Sequence, residues 1–256
     1  MSTAVFVTVY ALVMAASLAG ALLVPAVLAG AAGKAAGGRQ SPGGVIAIAL
    51  GFAAWFGITS AVAAAGGYGA STSARWGFPL VSLGLVVPVL AAVAAIWLVA
   101  PIRRLVREPA AQPALIAVES YRVVAGGVFL GLMFLNQLPA VFAIPAGAGD
   151  VLIGLTAFWA AASLRSGRLG PALAWNLLGI LDLVAAVGLG ITTTPGPLHL
   201  INASPSTVLL STLPLVMVPT FLVPLSFLIH VVSLRHLFRR LSRVGSVSSV
   251  QREATA

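Results

Sequence analysis

The chain has 256 residues, 60% of them hydrophobic and only 7% charged, with a mean hydropathy of +1.08 and a formal net charge of +9. A soluble domain carries about 25% charged residues, so a water-exposed surface is excluded for most of this chain and lipid must be its main solvent. With lipid as solvent, excess Arg and Lys mark a membrane face rather than a nucleic-acid site. The absence of cysteine excludes disulfides, thiolate catalysis and cysteine-held clusters.

Crossing about 30 Å of hydrocarbon takes roughly 20 apolar residues in a helix. Seven stretches meet that need: 5–30, 44–66, 78–100, 119–138, 141–164, 172–193 and 207–234. The expected fold is all-α, a polytopic membrane protein with a seven-helix domain over residues 1–238. Residues 1–30 lack a positive leading segment and are too long an apolar run for a signal peptide, so they read as a retained helix. "PIRRLVREPAAQPA", between spans three and four, reads as an interfacial turn followed by a flexible connection. Residues 239–256 read as a basic, disordered tail. In "LRHLFRRLSR", the arginines are expected to snorkel towards anionic lipid headgroups, the one partner expected beyond the bilayer itself.

Seven spans put the termini on opposite sides. With the C-terminus in the cytoplasm, thirteen basic residues lie inside or at the inner ends of spans, including Lys34, Arg39, Arg122 and Arg252, and only Arg75 lies outside. The positive-inside rule therefore predicts N-out, C-in.

Ionisable groups within a span each cost about 2.5–3.5 kcal/mol at its centre on insertion scales, and so each needs a reason. The candidates are Glu119, Arg122, Asn136, Gln137, Asp150, Asn176, Asp182 and His230. Asn136 lies fourteen residues beyond Arg122, Asp150 fifteen before Arg165, and Asp182 fourteen after Arg168. At 1.5 Å per residue, all three stand about 21–22 Å from their arginine. This predicts one polar layer shared by spans four, five and six, with Asn176 and His230 nearer the cytoplasm.

Within span five, Pro139, Pro145, Gly147 and Gly149 predict irregular backbone, broken near 145–149, with a half-helix beginning at Asp150. Asp150 is then either an N-cap or part of a binding site of the broken-helix kind. Asp182 lies in an unbroken helical stretch, with Gly179, Ala186 and Gly190 on roughly its face. It is either a packing residue, bonded through Asn136, Gln137 or Thr156, or a functional carboxylate. The layer is expected to hold no basic residue, which requires protonation of a carboxyl or entry of a cation. Glu119 and Arg122, three apart, read as a local ion pair. His230 follows Pro214, Pro219 and Pro224 in a kinked span seven, where it is either a hydrogen-bonded packing residue or a ligand.

No cofactor or metal is expected. His199 and His236 fall outside the hydrocarbon on opposite sides, which disfavours a bis-histidine haem, and Lys34 lies in a loop, away from any intramembrane Schiff base.

"GAGD", residues 147–150, resembles the GxGD motif of intramembrane aspartyl proteases, and "GAGDVLIGL" is similar to the prepilin-peptidase form. That resemblance implies an acid–base pair made of Asp150 and Asp182, although in those families the second aspartate precedes GxGD and here it follows. More broadly, "YRVVAGGVFL", "LPAVFAIPAGAGDVLIGLTA", "WNLLGILDLVAAVGLG" and "PTFLVPLSFLIHVVSL" together resemble a family of uncharacterised bacterial multi-pass membrane proteins. This implies a bacterial plasma-membrane location and no assigned activity. The first functional expectation is small-solute or cation- or proton-linked transport. The alternatives are an accessory membrane protein whose polar residues hold the bundle together, and a membrane-embedded hydrolase using Asp150 and Asp182.

Overall fold

The computed structural model describes residues 1–34, 42–76, 80–196 and 198–254, so Arg39 lies outside the described residues. Its principal helices are α1 (Thr3–Lys34), α2 (Pro42–Ala64), α3 (Ala70–Trp76), α4 (Leu80–Leu98), α5 (Ala100–Val106), α6 (Gln112–Val118), α7 (Arg122–Phe134), α8 (Ala140–Arg165), α9 (Leu169–Thr193) and α10 (Val223–Ala254). Among the described residues there is no strand, and seven helical stretches are long and apolar enough to cross a membrane. Only helices satisfy their backbone within one segment, so a chain this apolar has little alternative in lipid.

Span four is longer than its apolar run indicates. It extends over Pro109–Phe134, built from α6, a 3-10 turn at Glu119–Tyr121, and α7. The connection expected to be flexible is therefore helical: α5 follows the end of span three, and a 3-10 turn at Pro109–Ala111 leads into α6. The consequence for Arg122 is large. It sits near the middle of a 26-residue span, not at its end. Span seven begins later than expected, at Val218, and α10 continues as helix to Ala254 where the sequence reading expects a disordered tail.

Span five is one helix. α8 runs from Ala140 to Arg165 with Pro145 inside it, and its N-cap is Pro139 rather than Asp150. The expected break near 145–149 is thus corrected. Pro145 removes a single i→i−4 bond close to the start of the helix, a defect tolerated among neighbouring helices. The glycines serve close packing instead of irregular backbone. A Cβ on Gly147 would lie 2.8 Å from Leu130 Cγ and 3.0 Å from the Gly126 carbonyl oxygen, while one on Gly154 would lie 2.7 Å from the Val123 nitrogen. Small residues let α7 and α8 approach until their backbones touch.

Asn136 ends α7. Its φ of 53° is left-handed, its N–H donates to Met133 O at 2.9 Å, and the Gln137 N–H donates to Leu132 O at 2.8 Å. This is a Schellman termination, in which Asn is the usual substitute for Gly. Asn136 is exposed and Gln137 turns back to the Leu135 carbonyl, so neither joins a polar layer with the aspartates. Asn136→Ala is expected to cost about 1–2 kcal/mol and Asn136→Gly almost nothing, as read by thermal melting in detergent.

The interior is built around α7, α8, α9 and α10, with α1 laid against α6 and α7. Spans two and three are peripheral, and α4 buries none of its side chains fully. Span seven opens with a π-helical turn at Val218–Leu222. Pro224 lacks the N–H that would bond the Thr220 carbonyl, and the indole Nε1 of Trp55 donates to that oxygen at 3.2 Å instead. The adjoining Leu222 carbonyl accepts from the Tyr121 hydroxyl at 2.9 Å. Proline and aromatic donors on other spans thus tie the start of span seven into the bundle.

Candidate functional site: a buried arginine among three carboxyl groups

The 3-10 turn at Glu119–Tyr121 positions the centre of the site. In that geometry residues three apart eclipse one another, so Glu119 and Arg122 project in nearly the same direction, into the bundle. Both are fully buried. Arg122 then reaches spans five, six and seven. Its Nε donates to Asp150 Oδ1 at 2.7 Å on α8, and its Nη2 donates to Asp182 Oδ2 on α9. Its Nη1 lies 3.3 Å from His230 Nε2 on α10 and 3.8 Å from Glu119 Oε2. A guanidinium carries five donors in a rigid plane, enough to serve several partners in different directions at once.

The expectation that no basic residue lies in the layer is therefore corrected. The depth ruler took Arg122 as marking the membrane surface, whereas this residue is the counter-ion of the layer. Asp150 and Asp182 do come together, but through Arg122. Close helix packing makes this possible, since Gly149 leaves the space that the Asp182 carboxylate occupies and Gly126 lies against Asp150, whose Cβ would be 2.9 Å from a Cβ added there. Of the small residues on the Asp182 face, Gly179 leaves room for the His230 ring, and Gly190 makes only ordinary contacts with Phe142 and Leu210.

His230 and Asn176 form the second part of the network. Arginine only donates, so His230 Nε2 accepts, and Nδ1 must carry the proton that it gives to Asn176 Oδ1 at 3.0 Å. The Asn176 amide nitrogen donates to Ala172 O at 2.7 Å and to Ser233 Oγ at 3.1 Å. The imidazole is accordingly neutral and fixed in one tautomer, with the Trp175 ring 5.0 Å away. Thr156, a suggested partner of Asp182, instead donates to Leu152 O and accepts from Trp175 Nε1 at 3.0 Å.

Sequence reasoning missed a third part. Ser226 Oγ donates to Glu119 Oε2 at 2.7 Å, and the Tyr121 hydroxyl lies 2.6 Å from Ser226 Oγ. Glu119 Oε1 is buried and makes no hydrogen bond to the protein among the described residues. The expected local Glu119–Arg122 pair exists, but as one edge of a network spanning four membrane helices. A cavity of about 10 Å³ adjoins Tyr121, Arg122, Asp150 and Ser226, close to the space one water needs.

Chemically, three carboxyl groups face one guanidinium and a neutral imidazole. Were all three ionised, two negative charges would remain uncompensated in a largely buried site. Such an arrangement is costly unless protons or cations accompany it. The guanidinium donates to both aspartates from different nitrogens, so the two carboxyl groups share one arginine.

Seven apolar helices around a buried ionic network define an integral membrane protein. The chain belongs to the family described as "Domain of unknown function (DUF8737)", whose profile matches residues 78–238. That interval begins just before α4 and contains every residue of the network. Comparison with curated proteins gives no match. Comparison with solved structures gives none either.

Proposed function

We propose that the chain is a proton-linked membrane transporter whose coupling site is the cluster of Glu119, Arg122, Asp150, Asp182 and His230. The observation carrying this reading is the excess of buried carboxyl groups over the single arginine. Arg122 already occupies the position a coupling cation would take between the aspartates, so the missing positive charge is supplied as protons. The side chains of Asp150 and Asp182 retain 12% and 13% exposure, against 0% for Glu119, which makes the aspartates the points of proton entry. The arginine distribution supports an N-out, C-in orientation in a bacterial plasma membrane, with the network reached from either side through rearrangement of spans five and six.

A second reading has its own support. All three guanidinium nitrogens are engaged and the adjoining cavity has room for about one water, as in a bundle held together by a static ionic lock. Proteoliposomes loaded with a pH-sensitive dye, and driven by an imposed membrane potential, separate the two. Wild-type protein is expected to carry protons inwards, and Asp182→Asn to fall to the level of protein-free vesicles while melting normally. Absence of flux in the wild type, or equal flux in the variant, would leave the structural lock.

A further inference from the structure

We propose that the groove between spans two and three binds an anionic phospholipid, with an acyl chain in the groove and the phosphate at an arginine corner beside its end. This site is separate from the ionic network and does not depend on its role.

The groove has a volume of about 700 Å³ and is lined almost wholly by apolar side chains. α4 packs on α10 and on the π-turn of span seven, while α2 packs on α1 and α5, and the two spans make no extended contact with each other. On the α4 wall the lining runs from Leu80 to Ile96, about 24 Å at the α-helical rise. That is most of the roughly 30 Å hydrocarbon thickness, so an occupant must be elongated and apolar over its length.

One end of the groove is not neutral. Ile102 and Val106 line it there, next in sequence to Arg103 and Arg107, and so does Val232, three residues before Arg235. Arg103 Nη1 donates to the Trp97 carbonyl at 2.7 Å, and the Arg235 guanidinium lies 4.9 Å from the Trp97 ring centre. Loss of solvent, followed by repulsion from Arg239, Arg235 and Arg103, holds the Arg107 pKa below its ordinary value, so these four cations share one neighbourhood. Glu108 is the only acidic residue between spans three and four, leaving the corner strongly positive. Trp97 is exposed at the end of α4, as an interfacial tryptophan would be. An extended apolar slot with a cationic corner at one end matches the amphiphilic charge pattern of an anionic lipid.

The test is lipid retention by the full-length chain purified in detergent, read by native mass spectrometry with phosphatidylglycerol and phosphatidylcholine of identical acyl chains. Phosphatidylglycerol is expected to be retained about tenfold better, since its net negative headgroup is drawn to the arginine corner and the zwitterionic phosphatidylcholine headgroup carries no net charge. Replacing Arg103, Arg107, Arg235 and Arg239 by Gln should abolish the preference. Gly51 lines the groove and a Cβ there would meet nothing within 4 Å, so Gly51→Phe should fill the slot without disturbing the fold and reduce retention of both lipids. Ala91→Phe does the same from the opposite wall. Equal retention of the two lipids, a preference surviving the four substitutions, or unchanged retention when either wall is filled by a folded variant would overturn the proposal. So would a dimer that Gly51→Phe disrupts, which would place a second copy of the chain in the groove.

Discussion

Arg122→Gln is expected to destabilise the protein by about 3–5 kcal/mol, the usual cost of removing one partner from a buried ionic network. The loss exceeds that of one hydrogen bond because the guanidinium serves Asp150, Asp182, Glu119 and His230 simultaneously. Glutamine offers two amide N–H donors but no positive charge, and would leave the carboxylates in low dielectric without a counter-charge. Arg122→Lys should be intermediate, retaining charge but losing the planar fork. The diagnostic variant is Arg122→Gln combined with Asp150→Asn and Asp182→Asn. It should recover much of the stability, since the cost arises from unpaired carboxylates and not from the missing arginine itself. Thermal melting in detergent reads all three. An Arg122→Gln chain as stable as the wild type would mean that the network is not the ionic centre described here.

The second large effect is expected at the α7–α8 seam. Gly126→Leu should cost about 1–3 kcal/mol, the range for overpacking a filled interior, and should push Asp150 away from Arg122. A Cβ at Gly126 would lie 2.9 Å from both Asp150 Cβ and the Val151 nitrogen, atoms that cannot move without shifting α8. Gly127, its neighbour, offers the control. A Cβ there meets nothing within 4 Å, so Gly127→Leu should be nearly neutral in stability. Melting curves of the two variants are the measurement. Equal effects at both positions would show that the close crossing of α7 and α8 contributes little.

Several residues of the candidate site were legible in the sequence because a charged or strongly polar side chain in an apolar run is conspicuous wherever the chain folds. Asp150, Asp182, Asn176 and His230 stood out in this way, and the last two were also placed near one another. Arg122 was noticed but misplaced. Its apolar surroundings on both sides, with helix extending from Pro109 to Phe134, were the signal that it lies mid-span. An arginine near an apolar boundary reads as a surface marker because most are. Ser226 and Tyr121 gave no signal, since a serine and a tyrosine in a membrane helix are unremarkable until their neighbours are known.

The misreading of span five has a similar origin. Proline and glycine close together break helices in water, where freed backbone groups find solvent and an open loop is cheap. In a helical bundle the same glycines remove Cβ atoms so that Gly126, Gly147 and Gly154 can bring two backbones together. One composition supports both outcomes, and only the presence of an opposing helix selects between them.

By itself the sequence determined the solvent, the helical class and the count of seven spans, because the shortage of charge and the length of apolar runs are properties of the chain that no packing can alter. Tertiary structure alone decided that one arginine bridges aspartates twenty-eight and sixty residues away, and that Asp150 lies within a helix rather than at its start. Those outcomes depend on which helices face one another and how closely they approach, and helical periodicity along one span carries no information about the neighbour it meets.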